Sequence, residues 1–591
     1  MHSLTVGIQK LLAENIQLTV VPRDCQIPSQ SERFGKINLR NGNTAVVPQC
    51  SSFRDGWPAC RDHHLNGSTC MQKVTRNSRL NRREVLFGAA ASATLPFWLP
   101  KAAIAQEDDT LKMRLVAEVL VLDPAFRQSE SELWVSDAVL PKLINFKAGK
   151  AWEWELYCAE SVEQVDPVTV AFKLKKGLTW TGDYGEVTAE DVKYSFERYK
   201  DTKLAAPNAP TWEPLDRVEV IDKYSGIIHL KQPYSGLFGY VLPHDGGQIV
   251  CKRAVEEAGG HFGAETPATS GPYKIVSIRP GEGVKLERDP NWSGITPAFE
   301  RIELTPIVDS KSAENAIRSG DLDFGEISVS AVPTLRGNMP DGFTMDVLQT
   351  NNFFWFCANM SNPDLKNEAV RKAIQMAVDR KTVVEGAFGG IVEPSYCVAS
   401  KGMPGYVEKP FVQYDPDAAR ALISEAGETG LTLNLEVTAE TDQITAAQII
   451  QANLAAVGIQ VNINQHEAGA FWSLPSVLGK NMQLYLRQEL QVPPDVTWAL
   501  QWILPEQAGI WNWQYFIDDE FKRLYDEATQ ELDPTKRDVI LRKVQERIDL
   551  SYTSLILLHL PRVILYNNKH VVPAMKPDGN YRLEQFRKIV A

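Results

Sequence analysis

Across its 591 residues the sequence lacks the signatures that would mark an enzyme. There is no His-Glu-x-x-His for a catalytic zinc, no Gly-x-Ser-x-Gly nucleophile elbow, and no Gly-x-x-x-x-Gly-Lys phosphate loop. Histidine is scarce: from residue 106 onward there are only His229, His244, His261, His466, His559 and His570, none at the spacing of a metal pair. Carboxylate pairs such as Asp518-Asp519 stand at a helix start, where negative charge favours the dipole rather than catalysis. No repeat of fixed period is present. Catalysis is therefore not expected.

Positive charge is also lacking where nucleic-acid binding would need it. The net charge is -12, and it is unevenly spread. Residues 1–105 hold 13 Lys+Arg against 6 Asp+Glu, a net of +7, which leaves 49 against 68, a net of -19, for residues 106–591. An acidic body of that kind repels phosphate backbones. The composition is otherwise ordinary, 44% hydrophobic and 23% charged, and the chain is long enough for two or three cored domains.

The apolar run from Val85 to Leu99 is too short to span a bilayer and is broken by Pro96. Its setting explains it better. Asn81-Arg82-Arg83-Glu84-Val85-Leu86-Phe87 resembles a twin-arginine export motif, Lys101 supplies a basic residue after the apolar run, and Ala103-Ile104-Ala105 is a small-x-small cleavage site. A signal peptide over 71–105, cleaved near Ala105, and a periplasmic product beginning near Gln106 are expected. No cysteine stands directly after the cleavage site, where Gln106 follows Ala105, so no lipid anchor is expected. Residues 1–70 carry no sustained period and are read as a disordered leader or a start placed too far upstream. Cys60, His63, His64 and Cys70 lie there, but their spacing matches no standard zinc site.

Beyond residue 106, strand and helix patterns alternate. Leu111 to Leu122 reads as a buried strand stopped by Asp123-Pro124. Val168, Val170, Phe172 and Leu174 alternate as a half-buried strand. Thr188-Ala189-Glu190-Asp191 is a capping box opening a helix whose inner face is Val192, Phe196 and Tyr199. Tyr273 to Leu286 reads as a hairpin, whose turn accounts for Gly281 and Gly283 better than a phosphate loop does. Ser312 to Ser319 is helical and stops at Gly320, and Phe353-Phe354-Trp355-Phe356-Cys357 is a continuously apolar, doubly buried strand. Glu368 to Arg380 has helical spacing, as do Ile444 to Val457 and, with a break at Asp533-Pro534, Asp518 to Asp549. Leu431 to Val437, Ile459 to Ile463, Leu555 to Leu560 and Val563 to Tyr566 read as strands. Such alternation is the mark of an α/β fold.

Leu122-Asp123-Pro124, Thr188-Ala189-Glu190-Asp191-Val192, Ser270-Gly271-Pro272-Tyr273, Val370-Arg371-Lys372-Ala373-Ile374 and Ala377-Val378-Asp379-Arg380 occur in that order along the chain. Together they resemble the periplasmic solute-binding proteins of the peptide/nickel type (family 5) that feed ABC importers. The resemblance implies a two-lobed periplasmic-binding-protein fold, type II, of the large class with an inserted subdomain. Lobe I would cover 106–345 with its insertion at about 155–265, lobe II would cover 346–555, and 556–591 would return to lobe I. It implies a monomer that is not embedded in the membrane, binds no nucleic acid and holds no cofactor or metal. Such a protein closes on a peptide or peptide-like amino compound in the hinge cleft and hands it to the permease subunits. Other family cargoes are opines, oligosaccharides, nickel and haem; for the last two His466 is the candidate ligand. A chaperone-like role is the remaining alternative.

Peptide-binding relatives carry a segment whose Asp-Tyr would fall at Gln491-Val492, so the usual carboxylate is missing here. Glu489 is a candidate replacement, and Arg487 a candidate for a ligand carboxylate. Trp498, Trp502 and Trp355 are candidate aromatic contacts. Glu132 and Trp134, with Glu130, are expected in a cleft-facing loop after Leu-Asp-Pro. Each of these candidates has an ordinary structural alternative, in the core or on a solvated loop. Cys158, Cys251, Cys357 and Cys397 allow three pairings in an oxidising compartment, or none. Cys357 with Cys397, in one lobe by resemblance, is the favoured pair.

Overall fold

A computed structural model describes residues 34–38, 44–48 and 109–589, except 128 and 490–492. The segment 71–105 expected to be a signal peptide, Cys60, His63, His64, Cys70 and Gln491-Val492 lie outside the described residues. Within the first 70 residues, Phe34–Asn38 and Thr44–Pro48 pair as antiparallel strands, Phe34 opposite Pro48.

Residues 107–591 form one compact unit. The strands of its two larger sheets, in chain order, are β1 (Thr110–Leu115), β2 (Ala159–Asp166), β3 (Thr169–Leu174), β4 (Leu215–Val220), β5 (Ser225–Leu230), β6 (Tyr273–Arg279), β7 (Gly283–Arg288), β8 (Arg301–Pro306), β9 (Phe324–Ile327), β10 (Phe343–Ala358), β11 (Thr432–Thr438), β12 (Gln460–His466), β13 (Leu484–Glu489) and β14 (Ser554–Asn567). One ten-stranded sheet runs β6-β7-β8-β1-β9-β14-β10-β13-β11-β12. The strands β2-β3-β5-β4 make a separate four-stranded sheet, the inserted subdomain.

Two long antiparallel strands, β10 and β14, carry the large sheet from one lobe to the other. Phe343 to Gln349 pair with Asn567 to Pro561 in the first lobe, and Phe353 to Cys357 pair with His559 to Ser554 in the second. The register shifts between Gln349 and Phe353. That irregularity is the hinge: Thr350, Asn351 and Asn352 leave the ladder, and the Thr350 hydroxyl donates to Leu560 O at 2.9 Å instead.

Several expectations meet a correction here. The strand from Leu111 ends at Leu115, and the stretch to Asp123 is irregular. The apolar strand around Trp355 is sixteen residues long, because its first half is only half-buried and shows no apolar run. Glu368 to Arg380 is two helices, Glu368–Ala377 and Arg380–Phe388, since Asp379 turns out of the first and caps the second through Lys381 N. The two C-terminal strands are one, continuing through Pro561 at the hinge, where the ladder is already interrupted. The helix α1 (Glu130–Val139) replaces the expected loop after Leu122-Asp123-Pro124. Ser129 and Glu132 form its capping box, a Ser-x-x-Glu counterpart of the Thr-x-x-Asp box that was legible at Thr188 to Asp191. The four cysteines are free, buried thiols rather than a Cys357–Cys397 pair. Cys397 Sγ instead accepts from Val407 N at 3.1 Å and donates to Ala399 O at 3.3 Å.

Each lobe has its own core. Leu111, Met113, Phe299, Phe324 and Ile564 centre the first, and Phe354, Ile374, Leu435, Ile450 and Leu557 the second. Phe196 stacked on Trp212 (centroids 4.2 Å apart) anchors the inserted sheet. Among the described residues no helix is long and apolar enough to cross a membrane.

Candidate functional site

A cavity of about 190 Å³ lies at the hinge, and both lobes wall it. Arg127, Glu130 and Leu133 come from the start of α1 and the turn before it. Asn208, Thr211, Tyr240 and His244 come from the inserted part, Thr350 to Asn352 from the hinge, and Asp578 and Asn580 from the C-terminal return. Pro493 and Trp498 close it from the second lobe. The volume is below the roughly 300–1,000 Å³ of sites for drug-sized ligands, so the enclosed space suits a small solute.

Local sequence fixes these walls. Asp123 of the Leu-Asp-Pro turn is fully buried and takes a bidentate pair from Arg198 at 2.6 and 2.8 Å. That pins the turn carrying Arg127 to the inserted part. Asn208 Nδ2 donates to Pro124 O and Arg127 O, fastening the same turn a second time. Glu132 is 5% exposed and accepts from Leu120 N, Val121 N and Ser129 N, so both of its oxygens serve the backbone.

Glu130 is held by Arg562 at 2.5 Å, and Arg562 also reaches Glu326 at 3.2 Å. Burial alone would lower the Arg562 pKa, but Glu130 and Glu326 outweigh it and keep the guanidinium charged. Burial raises the Glu326 carboxyl against the pull of Arg562. At the C-terminal return, Gly579 adopts a positive φ of 83° and closes a tight turn. Lys576 N donates to Asn580 O across that turn at 2.7 Å. Asn580 then donates to Asp578 from both its backbone N, at 2.9 Å, and its Nδ2, at 2.7 Å. Its Oδ1 accepts from Trp134 Nε1 at 2.9 Å.

Behind this wall Asp137 bridges two buried lysines, Lys142 at 3.0 Å and Lys576 at 2.8 Å. Burial pushes the Lys142 amine down to about 7, with Asp137 opposing. Burial also works to raise Asp137, but the two lysines prevail and hold it well below the usual carboxylate range.

The residues singled out from sequence divide into layers. Trp498 lines the cavity. Trp502 meets it edge-on at 5.9 Å, and Trp511 follows at 5.7 Å. Trp134 stands one layer back, holding Asn580. Trp355, Arg487 and Glu489 stand together but are not among the lining residues. Trp355 and Arg487 are directly opposed across β10 and β13. The Arg487 guanidinium is enclosed by Trp355, Trp472, Trp511 and Trp513 at 5.0–5.8 Å and pairs with Glu489 at 2.8 Å. His466 lies on β12 and pairs with Glu436 at 2.5 Å. Among the described residues no three His, Cys, Asp or Glu gather as a metal site.

Sequence reading missed Arg127, Asp578, Asn580 and the hinge triplet. The available signals were slight: a Thr-Asn-Asn run interrupting an apolar strand, and an Asp-Gly-Asn turn near the C-terminus.

Comparisons with known proteins agree with this geometry. Residues 153–509 match the model of the bacterial extracellular solute-binding proteins, family 5. A putative ABC transporter peptide-binding protein of Brucella ovis is 25% identical over 311 residues; the match takes in 50% of this chain but only 57% of that protein. The glutathione-binding protein GsiB of Escherichia coli O157:H7 is 23% identical over 401 residues, 65% of this chain and 76% of that one. The structure of HbpA2 from Haemophilus parasuis superposes with a TM-score of 0.72 at 20% identity, over 81% of this chain and all of the other. The two-lobed fold with its hinge cleft is thus shared, and the chain belongs to the family 5 bacterial extracellular solute-binding proteins.

Proposed function

We propose that this chain is the solute receptor of an ABC importer, capturing peptides or peptide-like amino compounds at the hinge and presenting them to a membrane permease. One observation carries the reading: a small cavity, walled by both lobes, that combines side chains of both charge signs with the face of Trp498. Opposed charges suit a zwitterion, and an aromatic face suits its apolar part. The names of the relatives, one a peptide binder and one a glutathione binder, point to the same solute class. The receptor acts by capture and lobe closure, without covalent chemistry, as a monomer. It is exported by the twin-arginine route to the periplasm and cleaved near Ala105. Trp498 meets the solute, with Trp502, Trp355, Arg487 and Glu489 as its backing and Glu132 and Trp134 fixing the facing wall.

The lobes also touch away from the residues that line the cavity. Ser235 of the inserted part donates from its backbone N to Thr529 O at 2.8 Å, and from its hydroxyl to Ala528 O and Thr529 O at 3.1 and 3.0 Å. Such contacts belong to a closed form.

A thermal-shift panel tests the reading, with dipeptides, tripeptides, glutathione, opines, oligosaccharides, nickel-histidine and haem as probes. Peptides or glutathione should raise the melting temperature; saturation at 100 times Kd corresponds to about 2.7 kcal/mol. Stabilisation by a sugar or haem alone would refute the solute class.

A further inference from the structure

A strap of residues 394–400 lies across the hinge strands. In the first lobe β9 covers one edge of β14 and stops at Ile327, opposite Val563. In the second lobe the strap takes that edge. Pro394 bridges to Leu558, and Ser395 N donates to Leu557 O at 3.0 Å. The strap is built into the second lobe: Ala399 N donates to Gln545 Oε1 at 3.0 Å, and Cys397, Val398 and Ala399 share a core with Trp355, Cys357 and Ile556.

A chain of hydrogen bonds ties this strap to the first lobe. Val398 O only accepts, so His559 Nε2 carries the ring proton and donates to it at 3.0 Å. Burial lowers the His559 pKa to about 4, against the pull of Val398 O, so at neutral pH the ring is neutral and Nδ1 accepts. The Ser395 hydroxyl therefore donates to Nδ1 at 2.8 Å, and its oxygen accepts from Gln349 Nε2 at 3.4 Å. Gln349 is the last residue of β10 paired in the first lobe. Ser400 makes a second tie. Its hydroxyl donates at 2.7 Å to Oδ1 of Asn351, a hinge residue that lines the cavity. Ser395, Ser400, Asn351 and His559 are all buried.

These ties fit one hinge angle. The strap and His559 move with the second lobe, Gln349 moves with the first, and Asn351 lies between. Rotation about residues 350–352 carries both amides away from hydroxyls that the second lobe holds. Buried polar groups that lose their partners are costly. The angle at which the ties are made is the one at which Ser235 meets Thr529.

We propose that residues 394–400 are a latch that keeps part of the solute-free protein in the closed form, with Ser395 and Ser400 as its two catches. The inference rests on the lobe closure proposed above and assigns what sets its resting balance. A solute entering the cavity completes a closure that the latch has begun. The latch also fixes the Asn351 amide on the wall that the solute meets.

Double electron–electron resonance on the solute-free protein tests this. Val165 and Val539 are exposed, and Gln164 and Arg537 close to them in sequence line one groove between the inserted part and the second lobe. The separation of 165 and 539 therefore reports opening. Each is replaced by p-acetylphenylalanine carrying a spin label, which leaves every cysteine unmodified. The otherwise wild-type protein should show two separations, the shorter matching this structure. Ser395→Ala and Ser400→Ala should each lower the short-to-long ratio by about 2- to 12-fold, the worth of one hydrogen bond. Ser400→Thr, which keeps the hydroxyl, should restore the ratio. Absence of the short separation from the wild-type background, or one ratio shared by all variants, overturns the latch. No solute is needed, so the two readings fail separately: a solute panel without a binder refutes capture, while the ratio still decides the latch.

Discussion

Replacing Gly239 with alanine should uncouple solute binding from folding. Gly239 belongs to the inserted part of the first lobe, and across the cleft it faces Asp495 of the second. A Cβ at Gly239 would stand 2.9 Å from Asp495 Oδ2, closer than real side-chain carbons approach. Asp495 cannot yield easily. Its carboxylate is fully buried, takes two hydrogen bonds from Arg537 at 2.9 and 2.8 Å, and caps the helix Val496–Leu500 through Thr497 N. Overpacking a contact of this kind costs about 1–3 kcal/mol. The contact exists only when the lobes meet, so the cost falls on the closed, solute-bound form. Each 1.4 kcal/mol is tenfold, so Kd should rise by about 5- to 150-fold. Gly239→Ala should leave the melting temperature of the solute-free protein within about a degree of wild type. Titration calorimetry with the best solute from the panel, run beside a thermal melt, measures both. Unchanged affinity would refute closure through this contact. A large drop in solute-free stability would place the contact in the resting fold instead.

Trp498→Ala removes the aromatic wall of the cavity and should raise Kd by about ten- to a hundredfold, read by the same titration. Asp549 gives a pH signature. Burial lifts its carboxyl to about 7, with Arg380 opposing. The folded protein then holds a proton that the unfolded chain has lost, so this stability is present in full below about pH 4 and is gone above 7, a change of up to about 4 kcal/mol. Urea unfolding at pH 5 and pH 8 should show that loss in wild type and not in Asp549→Asn; equal pH dependence in both would refute it. Burial pushes the Cys158, Cys357 and Cys397 thiols up to about 12 and Cys251 up to about 11. All four in the folded protein should resist a thiol reagent until denaturant is added, and then react without prior reduction; rapid native labelling would contradict their burial.

The fold was legible because its signals are local. Capping boxes, turn glycines and apolar periodicity report on a few neighbouring residues, and Thr188 to Asp191 or the Tyr273 to Arg288 hairpin need nothing more. The crossing strands were half-read: the first part of β10 is only partly buried, so it shows no apolar run. The site was harder. Arg487 and Glu489 looked like ligand anchors by chain position, yet they turn toward each other inside an aromatic enclosure. Asp578 and Arg127 lie some 450 residues apart and meet at one cavity only through the return of the chain. A charge that the fold brings to a cavity from such a distance leaves no mark in its own neighbourhood. Glu132 shows the converse: its capping box was in the sequence, and reading it would have placed the residue in the frame rather than the binding surface.

Native mass spectrometry of the protein, isolated gently from its own host, tests the central claim most directly. Wild type should carry a small adduct of peptide-like mass that leaves on denaturation, and Trp498→Ala should carry far less of it. A bare wild-type protein that also ignores the full solute panel would contradict capture at the hinge, as would an adduct that Trp498→Ala retains undiminished.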